Sequence, residues 1–547
     1  MKKPLSQAIF DRSDKAISAI RLGVLGGTGV DIEEAGQKPL IAIANSHTEF
    51  NPGHMHLQGL AARVKEGILA AGGLAFEFNV PAPCDGLAEG HEGMRYVLPQ
   101  RELIADAVET YIRSMRFDGV VLVASCDKII PGMLMAAARL DLPTVLLPGG
   151  PSEKAIRQRR NQVDSVKLAD YEDPQERIAC VTSGSCGACE VMGTANTFQC
   201  VSEALGLALP GSATVPGYAA DKLRLARLCG RRVVELVEQG LSARHYLTAD
   251  SLENALMLCQ ALGGSTNAAL HLPALARELS LELPLERFNY FSRQVPTLCA
   301  ISPNGPYGVL DLHRAGGVPA VMSRIARDLH QGASTVAGLS WREVLASAKV
   351  RDEAVIPPRE RPHFAQGGTV ALFGNLAPEG AVIKQSAVSQ EMHRFSGPAR
   401  VFESEEACLE GLREGTILEG DVVVIRNEGP KGGPGMPETL AVTVGLNQSG
   451  LKRVALVTDG RFSGASQGPC VGHVSPEAAV GGPIAAVRTG DLIRIDIAQR
   501  SLEVDLSPEE MAKRLAAHEP RRREIPPGYM RRYVKLVSSA AHGAVLD

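Results

Sequence analysis

Gly119-Val-Val-Leu-Val-Ala-Ser-Cys126-Asp-Lys-Ile-Ile-Pro-Gly-Met133 is the stretch that decides the fold of the first half of the chain. Its β-branched apolar run, residues 119–124, is typical of a buried strand, and residues 133–140 have the apolar spacing of a helix. Strand, loop and helix in this order predict a parallel sheet covered by helices, with the functional loops at the carboxyl ends of the strands. Further strands are predicted at residues 41–44 and 142–147, with a helix at 57–71.

The second half of the chain has a different sequence pattern. Residues 357–362 contain three prolines and resemble a linker. Beyond them, short strands separated by Gly- and Pro-rich turns predict a sandwich or a barrel. We therefore place an α/β domain at residues 1–355 and a β-rich domain at residues 365–547. The predicted strands of the second domain are 369–373, 399–402, 421–426, 454–457, 492–497 and 502–506.

Composition excludes several classes of protein. The 547 residues are 45% hydrophobic and 22% charged, which is ordinary for a globular protein of more than one domain. The net charge of −4 gives no reason to expect nucleic acid or an anionic membrane as a partner. We find no signal peptide and no run of roughly 20 apolar residues, so we expect a cytoplasmic protein. Its 11 cysteines, an odd number, do not form a disulfide framework in that compartment.

Two Cys-Asp dipeptides pair a soft ligand with a hard one. Cys84-Asp85 follows a strand-like run, and Cys126-Asp127 follows the strand at 119–124. Thiolate suits iron and carboxylate suits Mg²⁺, and adjacent side chains of an extended backbone point to opposite sides. Two such pairs at strand ends predict two metals close together. Either dipeptide alone is more often a buried cysteine beside a helix-capping aspartate.

A third candidate is the run Gly184-Ser-Cys186-Gly-Ala-Cys189. Its Cys-x-x-Cys spacing is compatible with zinc, a redox dithiol or an iron–sulfur cluster. A zinc ribbon would need a second Cys-x-x-Cys, which the sequence lacks, and a thioredoxin-like motif would lie early in a βαβ unit. Ligation of a cluster by one of the two cysteines fits better.

A fourth candidate lies in the β-rich domain, where Glu428 ends a predicted strand beside a glycine-rich turn and Ser463 lies on a Gly-flanked turn after another strand. The glycines permit close approach of the backbone. Ser463 is not in a G-x-S-x-G nucleophile elbow, so a hydrolase triad is not expected. Asp459-Gly460, just before it, is by itself typical of an ordinary turn.

Six motifs, distributed over nearly the whole chain, resemble those of the dihydroxyacid dehydratase and phosphogluconate dehydratase family. The resemblance implies an N-terminal α/β domain, a C-terminal β-barrel domain, and a homodimer or homotetramer with sites near the domain and subunit interfaces. The motifs are Cys126-Asp-Lys-Ile-Ile-Pro-Gly-Met133, Gly263-Gly-Ser-Thr-Asn267, Glu428-Gly-Pro-Lys-Gly-Gly-Pro-Gly-Met436, Asp459-Gly-Arg-Phe-Ser-Gly464, Gly472-His-Val-Ser-Pro-Glu-Ala478 and Lys535-Leu-Val-Ser-Ser539.

The resemblance also implies roles for individual residues. Cys126 and Cys189 match cysteines that bind an iron–sulfur cluster, and Ser463 matches the residue proposed as the base. The matches to Mg²⁺ ligands are Asp85, Asp127, Glu428 and, in members where it is carbamylated, Lys128.

The cluster type is where this chain departs from part of the family. Members that hold a [2Fe–2S] cluster carry cysteine at the position of Gly53. The departure favours an oxygen-labile [4Fe–4S] cluster, with Cys84 as the expected third ligand and Cys186 as the competing one.

The implied reaction is the dehydration of a 2,3-dihydroxy carboxylic acid to a 2-keto acid. Most of the chain is similar to the branch of the family that serves branched-chain amino-acid synthesis. Two stretches differ from it, residues 304–308 and Met436-Pro-Glu-Thr439, and they keep a sugar-acid (aldonate) dehydratase as the alternative. A non-catalytic iron–sulfur sensor would be expected to have lost Ser463 or one of the acidic ligands, and all are present.

Overall fold

The structure is a computed structural model that describes residues 4–154, 173–464, 466, 468–521 and 523–547. It contains a four-stranded parallel sheet in the first half of the chain and a closed eight-stranded barrel in the second, which confirms the mixed α/β fold class. The first sheet has the strand order β2-β1-β3-β4. Its strands are β1 (Leu40–Asn45), β2 (Leu74–Asn79), β3 (Gly119–Ala124) and β4 (Thr144–Pro148).

The parallel sheet is buried on both faces in its centre. Every residue of β1, β3 and β4 is buried, as expected for strands covered by helices on both sides. Ile43 pairs with Val121 and Val121 pairs with Val145, so the three strands end together. The loops that follow them therefore meet at one edge of the sheet.

The barrel is closed in the strand order β10-β6-β5-β12-β11-β7-β8-β9. Strands β7, β8, β9 and β10 are parallel neighbours, whereas most of the remaining pairs are antiparallel. The strands are β5 (Thr369–Gly374), β6 (Ala377–Lys384), β7 (Arg394–Phe402), β8 (Val422–Ile425), β9 (Ala455–Thr458), β10 (Cys470–Ser475), β11 (Leu492–Asp496) and β12 (Ser501–Val504).

Two helices inside the barrel domain were not expected from the sequence. Glu405–Arg413 connects β7 to β8, and Leu440–Ser449 connects β8 to β9. Parallel neighbours need such crossovers, since a tight hairpin joins only antiparallel strands. Each helix is short and contains a glycine, Gly411 or Gly445, which lowers helix propensity and weakens the sequence signal.

The two halves of the molecule share a hydrophobic core. Ala371 of β5 and Val382 of β6 belong to the same buried cluster as the parallel sheet. Asn289 bonds both backbone groups of Ala371, and Gln260 bonds both backbone groups of Thr369. These contacts fix the barrel against the helical part of the first domain and place the ends of β8 and β9 over the edge of the parallel sheet.

The remaining regular structure of the described chain is helical. The α-helices are Gln7–Phe10, Lys15–Gly26, Ile32–Ala35, Leu57–Ala70, Asp85–Ala88, Pro99–Met115, Ile129–Leu140, Pro174–Val181, Thr194–Ala204, Ala220–Gln239, Ala249–Leu262, Ala268–Glu278, Glu286–Gln294, Val309–Ala315, Gly317–Arg324, Trp341–Ser347, Glu405–Arg413, Leu440–Ser449, Pro508–Ala516 and Tyr529–Leu536. The 3₁₀-helices are Glu92–Tyr96, Ala243–His245, Gln385–Ala387, Gln390–Met392, Ala478–Val480, Pro483–Ala486 and Ala540–His542.

Candidate metal and catalytic site

Three carboxylates converge where the barrel meets the edge of the parallel sheet. One oxygen from each of Asp85, Asp127 and Glu438 lies within 4.8 Å of the others. We call these three residues the acidic trio. Asp85 begins the short helix after β2, Asp127 lies in the loop after β3, and Glu438 comes from the barrel domain between β8 and β9. The trio is therefore assembled from both domains.

Two buried cations accompany the acidic trio. Lys128 Nζ lies 2.7 Å from Asp85 Oδ2, 3.6 Å from Asp127 Oδ2 and 3.7 Å from Glu438 Oε1. Arg461 donates from Nη1 to Glu438 Oε1 at 2.7 Å, and neither cation has any exposed side-chain surface. Three carboxylates and two cations leave an excess of one negative charge in a buried place.

This arrangement fits a divalent metal ion. Burial, and then the charge of Asp85, raises the pKa of Asp127 to about 7, because like charges lie close together in a poorly hydrated site. Asp85 Oδ1 is buried and has no hydrogen-bond partner in the described part of the chain. A hard cation with oxygen ligands would satisfy that atom and relieve the repulsion, which is the donor set that Mg²⁺ prefers.

Glu428, predicted from the sequence as a metal ligand, does not join the acidic trio. Its Oε1 accepts hydrogen bonds from Arg523 Nη2 at 2.8 Å and from the backbone N–H of Glu405 at 3.2 Å. Glu428 thus contacts the first residue of the helix Glu405–Arg413, whereas Glu438 contacts Asn267, Arg461 and Lys128. The structure places Glu438, and not Glu428, beside Asp85 and Asp127.

The thiol of Cys126 lies against the loop that follows β1. Asn51 Nδ2 donates to Cys126 Sγ at 3.7 Å. The backbone N–H of Cys126 donates to His54 Nε2 at 3.1 Å, so His54 carries its proton on Nδ1 and donates it to the carbonyl of Ser46 at 2.7 Å. Burial lowers the pKa of His54 to about 4, which keeps the ring neutral for this role.

Gly53 lies directly beside the same thiol. A Cβ atom at this position would stand 2.7 Å from Cys126 Sγ and 3.1 Å from Asn51 Oδ1. Contacts below 3.0 Å are not tolerated without movement of one partner. A side chain at position 53 therefore has no room in this conformation of the loop.

Cys84 and Cys189 lie near Cys126, and Cys186 does not share their surroundings. Burial, and then the charges of Cys84, Asp127 and Cys189, raises the pKa of the Cys126 thiol. Residue 189 retains solvent access, yet loss of hydration followed by the charges of Asp127 and Cys84 raises the pKa of its thiol to about 12. Burial raises the pKa of the Cys186 thiol as well. No other cysteine and no carboxylate in the described part of the chain contributes to that shift.

Several hydrogen bonds hold the Cys189 loop in place. The backbone N–H of Gly187 donates to the carbonyl of Pro52 at 3.0 Å, which joins this loop to the one around Cys126. Asn196 donates to the carbonyls of Cys189 and Val191 from the first turn of the helix Thr194–Ala204. The three thiols are not within bonding reach of one ion, since the acidic trio is the only such group among the described residues. A polynuclear cluster, which offers each thiolate its own iron, suits that spacing.

Ser463 lies on the turn after β9, and this turn connects to the acidic trio through side chains of the first domain. The side chain is partly exposed, and the carbonyl of Ser463 accepts from the N–H of Ser466 at 3.0 Å. A Cβ at Gly464 would stand 3.1 Å from Ser265 Oγ. Thr194 Oγ1 lies 2.9 Å from Ser265 Oγ and accepts from Asn267 Nδ2, which also donates to Glu438 Oε1 at 2.9 Å.

Four residues that build this site had no predicted role. Glu438, Arg461, Asn267 and His54 all lie inside or next to the stretches quoted above, but none was assigned a role. Asn267 and Arg461 could have been noticed in the sequence, because each is a polar residue within a glycine-containing motif. Asp459, by contrast, accepts from three backbone N–H groups and is the turn residue that its sequence indicated.

Comparison with known proteins agrees with the fold and with these motifs. Residues 38–344 match the N-terminal domain of the dihydroxy-acid/6-phosphogluconate dehydratases, and residues 354–544 match the C-terminal domain. The chain therefore belongs to the dihydroxy-acid/6-phosphogluconate dehydratase family, and it is a hydro-lyase.

The relatives identify one branch of that family. The dihydroxy-acid dehydratase of Methanothermobacter thermautotrophicus is 48% identical over 93% of this chain and 94% of its own length. That of Caldanaerobacter subterraneus is 48% identical over 99% of both chains, and that of Methanoregula boonei is 46% identical over 99% of both. No helix among the described residues is both long and apolar enough to cross a membrane.

Proposed function

We propose that this chain is a dihydroxy-acid dehydratase, which removes water from a 2,3-dihydroxy carboxylic acid to leave a 2-keto acid in branched-chain amino-acid synthesis. The observation that carries the proposal is the acidic trio, which lies beside the thiols of Cys84, Cys126 and Cys189. Hydrogen bonds connect the trio through Asn267 and Thr194 to Ser265, which packs against Gly464 of the Ser463 turn. Soft and hard ligand sets next to each other fit a reaction in which one hydroxyl leaves while the carboxylate and the other hydroxyl are held.

Two groups would be held at this site. Asp85, Asp127 and Glu438 would bind Mg²⁺, and Cys84, Cys126 and Cys189 would bind an iron–sulfur cluster. When bound, Mg²⁺ would polarise the C1 carboxylate and C2 hydroxyl, and an iron without a protein ligand would serve as Lewis acid toward the C3 hydroxyl. Lys128, when carbamylated, would offer a further oxygen ligand and lose its positive charge.

Residues of the chain itself perform the proton transfer. Ser463 Oγ, as the alkoxide, would accept the C2 proton, and the C3–O bond would break as hydroxide departs. The hydroxide would take the proton from Ser463 to leave as water, which restores the alkoxide. The enol that remains would tautomerise to the 2-keto acid. Because a serine hydroxyl is a weak base in water, positive charge held at the site has to lower its pKa. Arg461, which is fully buried, would keep Glu438 in place throughout.

A substrate panel tests the proposal. Anaerobically prepared protein supplied with Mg²⁺ is expected to release 2-keto acid from branched 2,3-dihydroxy acids, and to turn over aldonic acids much more slowly. Faster turnover of an aldonate would move the protein to the sugar-acid branch. Absence of keto acid from every member of the panel, with iron and Mg²⁺ bound, would support a non-catalytic sensor instead.

The iron content tests the type of cluster. We propose a [4Fe–4S] cluster rather than [2Fe–2S], because position 53 offers no thiolate and no room for one. Anaerobic protein is expected to contain about four irons per chain and to lose activity in air. Active, air-purified protein with about two irons per chain would contradict this.

The third thiolate is tested by a matched pair of variants. Cys84→Ser is expected to abolish retention of iron, whereas Cys186→Ser is expected to keep it. The reason is that Cys84, unlike Cys186, lies close enough to Cys126 and Cys189 for its charge to raise the pKa of both thiols. Iron content and visible absorbance of the anaerobic proteins measure both. The reverse result would make Cys186 the ligand.

We further propose that the protein works in the cytoplasm as a homodimer or homotetramer, with a small dihydroxy acid as its partner and no nucleic acid. Ten cysteines of the described residues are free thiols, which fits a reducing compartment. The small net charge of −4 fits a protein without a polyanionic partner.

A further inference from the structure

Lys384, the last residue of β6, is a buried lysine that contacts the turn of Ser463. Its Nζ donates a hydrogen bond to the carbonyl of Gly464 at 2.9 Å. The residue is 7% exposed, and it forms no ion pair with any carboxylate of the described chain. Lys128, the buried lysine of the acidic trio, differs because it faces three carboxylates.

A lysine in such surroundings destabilises the folded protein. Burial, with no compensating negative charge, lowers the pKa of Lys384 to about 7. The folded chain therefore binds this proton less tightly than the unfolded chain, whose lysine has its ordinary pKa. Stability is lost wherever the unfolded lysine is protonated, and the loss is complete below about pH 7. Something other than stability has to account for an amine at this position.

Gly464 also packs closely against the first domain. A Cβ at Gly464 would stand 2.8 Å from Gly193 Cα and 3.1 Å from the backbone N of Thr194, so the turn touches the start of the helix Thr194–Ala204. Through Thr194 and Asn267 this contact continues to Glu438 of the acidic trio. On the side of the barrel domain, Lys384 contacts the same turn through its hydrogen bond to the Gly464 carbonyl. The Ser463–Gly464 turn is thus in contact with both domains.

We propose that Lys384 is a positioning residue, which fixes the Ser463–Gly464 turn through the Gly464 carbonyl so that Ser463 Oγ reaches the C2 proton. This inference rests on the proposed function of Ser463 as the base. Lys384 itself touches neither substrate nor metal in this role. Its contribution is geometric, and small displacements of a reacting group are sufficient to slow a reaction strongly.

Lys384→Met tests the inference, because methionine keeps much of the volume and loses the donor. The expected result is a fall of roughly 10²-fold in kcat, the effect of a displaced catalytic group, with KM little changed and iron and Mg²⁺ content as in the wild type. Exchange of the C2 proton with deuterated solvent should fall in parallel. The melting temperature should not fall, because a buried ammonium group that has no carboxylate beside it has been removed. Lys384→Arg, which keeps a donor, should be more active than Lys384→Met.

Lys222→Met is the matched control. Lys222 is likewise a buried lysine, and its Nζ donates to the carbonyls of Pro148 and Ser212 instead of the Ser463 turn. Its kcat is expected to stay near the wild-type value. The inference would be overturned by a kcat of Lys384→Met within about twofold of wild type, where a displaced base would cost far more. It would equally be overturned by a lower melting temperature with activity lost in proportion. Inactive wild-type protein would count instead against the proposed function.

Discussion

Glu438→Gln is expected to abolish dehydration, whereas Glu428→Gln is expected to leave most of it. Glu438 supplies one of three carboxylates that lie within 4.8 Å of each other, and the amide of glutamine removes its charge. A metal ion stabilises the transition state by several kcal/mol, so loss of its binding should lower kcat/KM by roughly 10³-fold or more. Turnover as a function of Mg²⁺ concentration measures the effect.

The two variants should also differ in stability. Glu428 is buried and bonded to Arg523, so Glu428→Gln leaves that guanidinium without its anion. Removal of one partner of a buried ion pair destabilises a protein. Thermal unfolding should therefore reveal a lower melting temperature for Glu428→Gln. If Glu428→Gln instead lost Mg²⁺-dependent activity while Glu438→Gln kept it, the assignment of the third carboxylate would be wrong.

Ser463→Ala is expected to bind substrate and retain both metals, yet to lose roughly 10²–10⁴-fold or more in turnover, the range for removal of a general base. The variant should also fail to exchange the C2 proton with deuterated solvent, because no other group would take that proton. Isotope exchange into unreacted substrate and the rate of keto-acid release are the two measurements.

Ser466→Ala is the control for this experiment. Ser466 lies on the same turn, its N–H donates to the carbonyl of Ser463, and its own hydroxyl has no hydrogen-bond partner among the residues that the structure describes. Its replacement keeps the backbone contact, so activity should stay near that of the wild type. Turnover of Ser463→Ala above about a tenth of the wild-type rate would be too high for a protein without its base.

The central strands were predictable because each combines a β-branched run with a following turn and helix. Strand β3 was predicted with its observed bounds, and β1 within one residue at each end. Strands β6 and β10 were missed for local reasons. Strand β6 contains Pro378 and Gly380, and β10 contains Gly472 followed by His473 at φ 58°, where the register shifts. Such residues normally indicate a turn.

The carboxylates that lie together at the site could be predicted from the sequence only in part. The Cys-Asp pairs could be placed together because they follow strands of one parallel sheet. The choice between Glu428 and Glu438 could not be made in this way. It depends on the path of residues 429–436, where Gly435 has φ 82° and lies so close to Arg95 that a Cβ would stand 1.9 Å from its carbonyl oxygen. That contact joins residues far apart in the chain, and no local pattern contains it.

The contact between Gly53 and Cys126 also limits how a further cysteine could be introduced at this site. A designer who wants another thiol beside Cys126 would begin with Gly53→Cys. The new Cβ would stand 2.7 Å from Cys126 Sγ, so the substitution alone would require that thiol to move. The loop of residues 51–54 would have to be rebuilt at the same time. The substitution and the rebuilt loop would have to be introduced together. A screen that tests one mutation at a time would therefore select neither of them.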